Sequence, residues 1–452
     1  MATINPEKQN KPAYTLIESG EDLERFYRAN RNVNWMAFDT EFIPEKYYNN
    51  KLCLISVATS RGNYVLDALK LRRLDRFISM VDNPRILKIT HAGENDYHIL
   101  AGGYHAKPKN IFDTQLAYGF LNRDFPLGLQ FIVERELHIR IDKGELKSDW
   151  EKRPLTSEQL NYAVGDVVHL YPLMKVLKRK LKTKGKLEWA QEENSRWETG
   201  DYFNSDSIDI VDLFNGDVMR RLTRQQKVFL IRLHQWRQIE ARKRNCPLNF
   251  VLKSQFIKSI VKNVSAGKPA LLKDRTLPAG VVHQYWPVMD KLFHEEITPI
   301  ELDIINRIPR DESCDPYLSF AMDMLYQVIK MKAAEQGISP YMVISRKEMS
   351  KMKIEKDYYP VNLDKGWRRE LLGEDLIYWI KQRKPIDISF QKDLCILKMK
   401  EWEEPPGGKK NGFGSRAVRI FSSHFRYWFF GKKEKKDPYK ETNSIQSVVI
   451  DS

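Results

Sequence analysis

A chain of 452 residues is too long for one ordinary core, and domains of roughly 100 to 200 residues predict three folded units and a tail. Its hydrophobic content of 42%, with 11% aromatic residues, excludes disorder as the general state. Lys and Arg total 75 against 60 for Asp and Glu, and the net charge of +15 predicts a polyanionic partner, a nucleic acid or a membrane surface.

Cys53, Cys246, Cys314 and Cys395 lie far apart with no C-x-x-C pair, which excludes a zinc ribbon or a redox dithiol and predicts reduced, partly buried thiols. The N-terminus lacks a basic stretch followed by an apolar run, and no 18 consecutive residues are apolar. A soluble cytoplasmic protein is expected.

In chain order, WMAFD ending at Asp39 predicts an opening strand, and LCLISVAT has the alternation of a second. Gly62 and Asn63 turn the chain into a third, YVLD. ILKIT, Ile86 to Thr90, is short and β-branched, while residues 94 to 101 and 113 to 121 read as helices. Thr156 with Gln159 is a capping-box pattern opening one long helix to Leu181, whose stripe of Leu160, Ala163, Val164, Val167, Tyr171 and Met174 packs on the sheet. These elements predict a mixed sheet covered by helices. Polar sequence over residues 193 to 209 places a domain boundary near residue 205. Residues 222 to 296 and 315 to 390 then read as two helical modules, the second with a helix at Tyr317 to Gln336. PPGGKKNG looks like a linker into a basic, aromatic tail.

Asp39 and Glu41 stand at i and i+2 where a strand ends, so both side chains point to one face. Alone, D-x-E carries no weight. Asp96 lies just inside a helix after a glycine turn, within reach of the same strand edge, although a first-turn acid also suits the helix dipole. YAVGD places Tyr162 and Asp166 one helical turn apart. Four acids and a tyrosine can thus converge. Hard divalent ions choose oxygen ligands, and two of them about 3.5 to 4 Å apart suit phosphodiester hydrolysis.

FDTEF at Phe38 to Phe42, HAGENDYHIL at His91 to Leu100 and YAVGD at Tyr162 to Asp166 resemble, in order, spacing and wording, the three motifs of the ribonuclease D branch of the DEDD exonucleases, tyrosine subclass. DKGELKSDW, ending at Trp150, and RPLTSEQLNYA share the likeness. The resemblance implies a ribonuclease H-like α/β exonuclease domain over residues 14–200. It also implies that Asp39, Glu41, Asp96 and Asp166 bind two divalent ions, Mg²⁺ or Mn²⁺, with no small-molecule cofactor. Tyr162 would orient the attacking water, and Thr40 and Phe42 would line the site of the terminal nucleotide. WRQIEARKRNCPLNFVL resembles the start of an HRDC module, here 215–298, and 312–392 resembles a second, more diverged HRDC-like helical domain.

Asp113 opens an apolar-periodic helix and reads as its N-cap rather than a fifth acid. His91 reads as satisfying a backbone group, and Lys143 and Trp150 read either as substrate contacts or as structural residues. Arg232, Arg237, Arg242, Lys243 and Arg244 either line an RNA path or form the solvated face of a scaffold. Residues 405–452 carry ten basic and four acidic residues, a net +6 mixed with aromatics. That mixture suits single-stranded nucleic acid, a membrane surface or a flexible tail.

The chain is expected to be a monomeric 3'-5' exoribonuclease that releases nucleoside 5'-monophosphates from tRNA precursors or other small structured RNAs. A DNA exonuclease of the same chemistry and an inactive RNA-binding scaffold are the alternatives. Asp and Glu ligands do not distinguish the sugar, while the intact set of acids argues against the scaffold.

Overall fold

Apolar and β-branched runs build the expected mixed sheet in the computed structural model, which describes residues 12–44, 46–71, 73–141, 148–198, 213–214, 219, 221–306, 316–354, 358–382, 386–391, 394–399 and 418–420. The strands are β1 (Thr15–Ile17), β2 (Trp35–Ile43), β3 (Lys51–Thr59), β4 (Gly62–Asp67), β5 (Leu87–Thr90) and β6 (Ile111–Asp113). Their spatial order is β1-β4-β3-β2-β5-β6. β2, β3 and β4 form an antiparallel meander, and β1, β5 and β6 join in parallel. The helices of this domain are α1 (Gly20–Asn30), α2 (Asp75–Val81), α3 (Glu94–Tyr104), α4 (Thr114–Gly119), α5 (Leu129–Leu137), α6 (Ser157–Val168), α7 (Leu170–Thr183) and α8 (Leu187–Ser195).

β3 is buried from Leu52 to Thr59, as a strand covered on both faces must be. On one face, Leu160, Ala163 and Val164 of α6 pack with Cys53, Leu54, Val65 and Trp150. On the other, Phe38 of β2 meets Phe77 of α2 and Tyr97 of α3 edge-on, at centroid distances of 5.7 and 5.6 Å. Period two then sorts β2. Phe38 and Thr40 share the α3 side, while Asp39 and Glu41 point toward α6.

The capping box at Thr156 is present, with the side chains of Thr156 and Gln159 each accepting from the other's backbone N–H. The single long helix expected from Thr156 to Leu181 is instead two, α6 and α7, broken at His169. Pro172 explains the break, because it has no N–H to donate to the carbonyl of Val168 and its ring crowds that position. Tyr171 of α7 stacks on Trp35 at 4.0 Å.

Helices follow. Arg224–Arg244 opens with its own capping box at Thr223 and packs Val228, Phe229, Leu230, Ile231 and Leu233 into a core with Phe256, Ile260, Tyr285 and Met289. The expected basic face of this helix needs correction. Arg232 is 5% and Arg237 2% exposed. Arg232 grips Glu301 with two bonds, of 2.6 and 2.7 Å, and donates to the carbonyls of Leu292, Glu295 and Glu296. Arg237 bonds Ser254. At the C-terminal end, Arg242 lies over the ring of Tyr48, 5.4 Å from its centroid.

The helix Pro316–Glu335 matches the expected Tyr317–Gln336, and the residues that follow it dock on the exonuclease domain. Ser339 N donates to Gly119 O at 3.3 Å and Arg123 to Ala334 O at 2.7 Å. Gly119 is required by this approach, since a Cβ there would stand 2.6 Å from Met342 Sδ and 2.9 Å from Phe125. Trp367 stacks on Trp189 and meets Phe120 edge-on. Glu193 of α8, 3% exposed, accepts from Trp367 Nε1 at 3.0 Å and from Arg368 at 2.7 and 3.1 Å. Arg368, Arg196, which donates to the same carboxylate at 2.6 Å, and the indole of Trp367 repay its desolvation and hold it below its ordinary range despite its burial.

The chain divides into two units, with the boundary after Lys381. In the second, β7 (Ile386–Gln391), β8 (Leu394–Met399) and β9 (Val418–Ile420) form an antiparallel sheet. The second helical module, read as extending to residue 392, therefore meets strand from residue 386, where Ile386, Ile388 and Phe390 alternate with polar residues. Apart from Val418–Ile420, the expected tail 405–452 lies outside the described residues, as do Lys143 and the boundary near residue 205. Among the described residues, Cys53 and Cys246 are free thiols, and no helix is long and apolar enough to cross a membrane.

Candidate active site

The site forms where β2 outruns its neighbour. β2 pairs with β5 only from Trp35 to Ala37, so Asp39, Thr40 and Glu41 extend past the end of that ladder, and the register with β3 shifts between Glu41 and Phe42. The two acids that face α6 meet Asp166 there. Carboxylate oxygens of Asp39, Glu41 and Asp166 lie within 4.8 Å of one another, a set that could hold a metal ion. Tyr162, one turn before Asp166, stands close enough for its hydroxyl to lower the pKa of that carboxylate.

Asp96 is placed differently. It stands in the first turn of α3, 5% exposed, and accepts a hydrogen bond from the Thr40 hydroxyl. It is therefore not a member of the three-acid cluster, although it is close enough to Asp39 and Glu41 to raise the pKa of both. Thr40 is buried with its hydroxyl committed to Asp96, and Phe42 is half-buried farther along the same strand.

Asp39, Glu41 and Asp166 are only half-buried by surface area. Dense protein around the carboxyl ends nevertheless removes most of the water that would stabilise their charge. Asp39 is pushed well above the usual carboxylate range, first by this desolvation and then by Asp96, Asp166 and Glu41. Desolvation followed by Asp166 and Asp96 raises Glu41 to about 8. Asp96 rises to about 7 and Asp166 to about 6, both chiefly by desolvation, moderated by the Thr40 hydrogen bond at Asp96 and by the neighbouring Tyr162 hydroxyl at Asp166. Desolvation and the adjacent acids raise Tyr162 far enough to keep it a neutral O–H.

The wall behind Tyr162 is fixed on the same face of the sheet. Trp150, 5% exposed, lies tilted against the Tyr162 ring at 6.2 Å. Its segment is held by Arg153, which donates to both carboxylate oxygens of Asp67, at 2.6 and 2.7 Å, and to Trp150 O at 2.7 Å. Next to it, Glu151 accepts from Tyr47, Lys46 and Lys51. Of the two readings of Trp150, its burial favours the structural one.

His91 and Asp113 stand as the sequence reading has them. His91 Nε2 faces Leu127 O at 3.1 Å and Nδ1 faces the Thr114 hydroxyl at 2.9 Å. Asp113 caps α4 by accepting from Gln115 N and Leu116 N. Glu193 and Asn194, which the polar run of residues 193 to 209 assigns to a boundary segment, instead lie buried in α8, because their hydrogen-bond partners, Arg368, Trp367 and Asp113, lie far along the chain.

Residues 14–182 match the description of the 3'-5' exonuclease family. The chain is 28% identical over 398 residues to Ribonuclease D of Zymomonas mobilis, covering 86% of this chain and 99% of that one. To Ribonuclease D of Nitrobacter hamburgensis it is 30% identical over 371 residues, covering 79% and 93%. Among solved structures, Escherichia coli RNase D superposes with a TM-score of 0.69 at 24% identity, covering 82% of this chain and all of that one, a likeness of fold. The motif order, the acid cluster on a mixed sheet and these relatives agree, and the chain belongs to the ribonuclease D family of metal-dependent 3'-5' exoribonucleases.

Proposed function

We propose that the chain hydrolyses RNA one nucleotide at a time from the 3' end, releasing nucleoside 5'-monophosphates, with Asp39, Glu41, Asp96 and Asp166 holding two divalent ions, Mg²⁺ or Mn²⁺. The observation that carries this reading is the convergence of three half-buried carboxylates within 4.8 Å. Four acids that disfavour their own charge are stabilised by a cation, and an all-oxygen donor set without sulfur or imidazole suits a hard one. Asp39, Glu41 and Asp166 would hold one ion, and Asp39 with Asp96 the other. Bound there, such ions supply an activated water and charge stabilisation at the departing 3'-oxygen.

The remaining roles belong to side chains alone. Tyr162 keeps its proton, and its oxygen has lone-pair capacity to accept from a water and orient it. Thr40 fixes Asp96, and Thr40 and Phe42 flank the terminal nucleotide. One chain contributes all four acids, which is consistent with a monomer. The domain division of the sequence reading, exonuclease 14–200 with HRDC-like modules 215–298 and 312–392, is retained as part of this proposal. The relatives' name and the net charge of +15 support RNA as the substrate, and tRNA precursors or similar structured RNAs are the RNAs proposed.

Incubating the full chain with Mg²⁺ or Mn²⁺ and 5'-labelled RNA or DNA oligonucleotides tests the reading. A ladder shortening from the 3' end of RNA, absent in EDTA, is expected. Preferred degradation of DNA would transfer the proposal to the deoxy sugar, and no cleavage of either would sink it.

A further inference from the structure

Capping α4 uses only part of the Asp113 carboxylate. Oδ1 accepts from Gln115 N at 2.8 Å and Leu116 N at 3.1 Å, as a cap should. Ala92 N also donates to Oδ1 at 3.2 Å, and Gly93 N to Oδ2 at 2.7 Å. These two amides belong to the turn between β5 and α3, and Asp96 follows three residues after Gly93. That turn is a demanding one. Ala92 has φ of 55°, a left-handed conformation that L-residues rarely adopt. At Gly93 a Cβ would lie 2.6 Å from Thr90 Oγ1 and 3.1 Å from Tyr97, so the backbone is pressed against strand and helix together.

Asp113 is itself backed. Its N–H donates to Asn194 Oδ1 at 2.7 Å, and the Asn194 amide donates to Ala190 O at 2.7 Å. Asn194 is 1% exposed and sits on α8 beside Glu193, which Arg368 and Trp367 hold. A continuous series of short polar contacts thus runs from α8 through Asp113 to the residues that aim Asp96.

We propose that Asp113 is a positioning residue for Asp96, fixing the turn from which that carboxylate projects, with Asn194 holding Asp113 from behind. The inference rests on the reading of Asp96 as a metal ligand. Metal sites demand placement within about half an ångström, so the start of α3 must be fixed by something other than the ligand itself. Four backbone N–H groups converge on one buried carboxylate, two from the helix it caps and two from the turn it restrains.

Asp113→Asn separates the two duties. Asn caps a helix as well as Asp does, but its NH₂ would face the Gly93 N–H, donor against donor. The test uses the full chain, with Mn²⁺ binding measured by isothermal titration calorimetry, kcat and KM on a 5'-labelled RNA oligonucleotide, and a thermal melt. D113N is expected to weaken Mn²⁺ binding about tenfold, the lower end of what groups behind metal ligands control, with kcat reduced and KM for RNA unchanged. Wild-type Mn²⁺ affinity in folded D113N would overturn the proposal and leave Asp113 a helix cap. Should D113N fail to fold, Asn194→Ala carries the test with the same sign expected, and unchanged Mn²⁺ affinity there overturns it equally. Asp96→Ala distinguishes the two layers. If D96A binds Mn²⁺ as the wild type does, the metal reading itself falls; if D96A loses binding while D113N and N194A keep it, only the positioning role is lost.

Discussion

At Asp39, burial and three neighbouring carboxylates act in the same direction, against ionisation. The metal-binding role proposed for Asp39 and the stability of the metal-free chain therefore oppose each other at this residue. Asp39→Asn is expected to abolish cleavage while leaving RNA affinity within a few-fold of wild type. In EDTA it should also raise Tm, because a repelled buried charge is removed; a melt in which metal-free D39N is less stable than wild type would contradict the electrostatic account. Tyr162→Phe keeps the ring against Trp150 and removes only the hydroxyl. Its kcat should fall about 10- to 1,000-fold, in the range of one lost transition-state hydrogen bond, with little change in KM. An unchanged kcat with raised KM would make Tyr162 a binding residue. The candidate residues were legible because each motif is local: D-x-E on a strand end, an acid after a glycine turn, and Tyr and Asp one helical turn apart. The bond between Asp96 and Thr40 was not legible, because it joins segments 56 positions apart.

Single elements show where sequence reading stops. The break between α6 and α7 was available in Pro172. The burial of Arg232 was not, because its partner Glu301 lies 69 positions away and belongs to another helix. That pair makes stability depend on acid. Arg232 holds Glu301 down to about 2, below the ordinary value of 4.5, so the stabilisation is present above roughly pH 4.5 and is lost as pH falls toward 2. Urea melts of wild type and E301Q should differ most near pH 6 and converge as the pH is lowered through that window. A gap that instead widens in acid would reverse the assignment. Glu193 and Arg368 form a similar buried pair, 3% and 14% exposed at their side chains. Arg368→Ala leaves a buried carboxylate with one partner fewer and is expected to cost about 3 kcal/mol or more. Arg73→Ala, in a pair whose side chains are 84% and 68% exposed, should cost nearly nothing. Comparable losses in the two variants would refute this ranking.

Across the whole molecule, charge is unevenly spread, and residues 405–452 carry a net +6 of the total +15. Truncation before Pro405 should weaken binding to precursor tRNA, flatten the dependence of log affinity on log salt, and spare cleavage of short oligonucleotides. Equal salt slopes for the two proteins would remove the tail from RNA binding, and flotation with anionic vesicles would then test Phe421, Phe425, Tyr427, Trp428 and Phe429 as membrane anchors. A last consequence follows from α8, which lies beyond the family match ending at residue 182 yet supplies Asn194 to Asp113. Anyone seeking a minimal nuclease would be drawn to cut at residue 182, and that fragment would lose the contact behind its own active-site turn. Cutting after residue 198 keeps the contact but strips Trp367 from Phe120 and Trp189, exposing an aromatic face that favours aggregation. The shortest well-behaved enzyme is therefore expected to include the docked helices through Lys381, and the catalytic domain is not a detachable cassette.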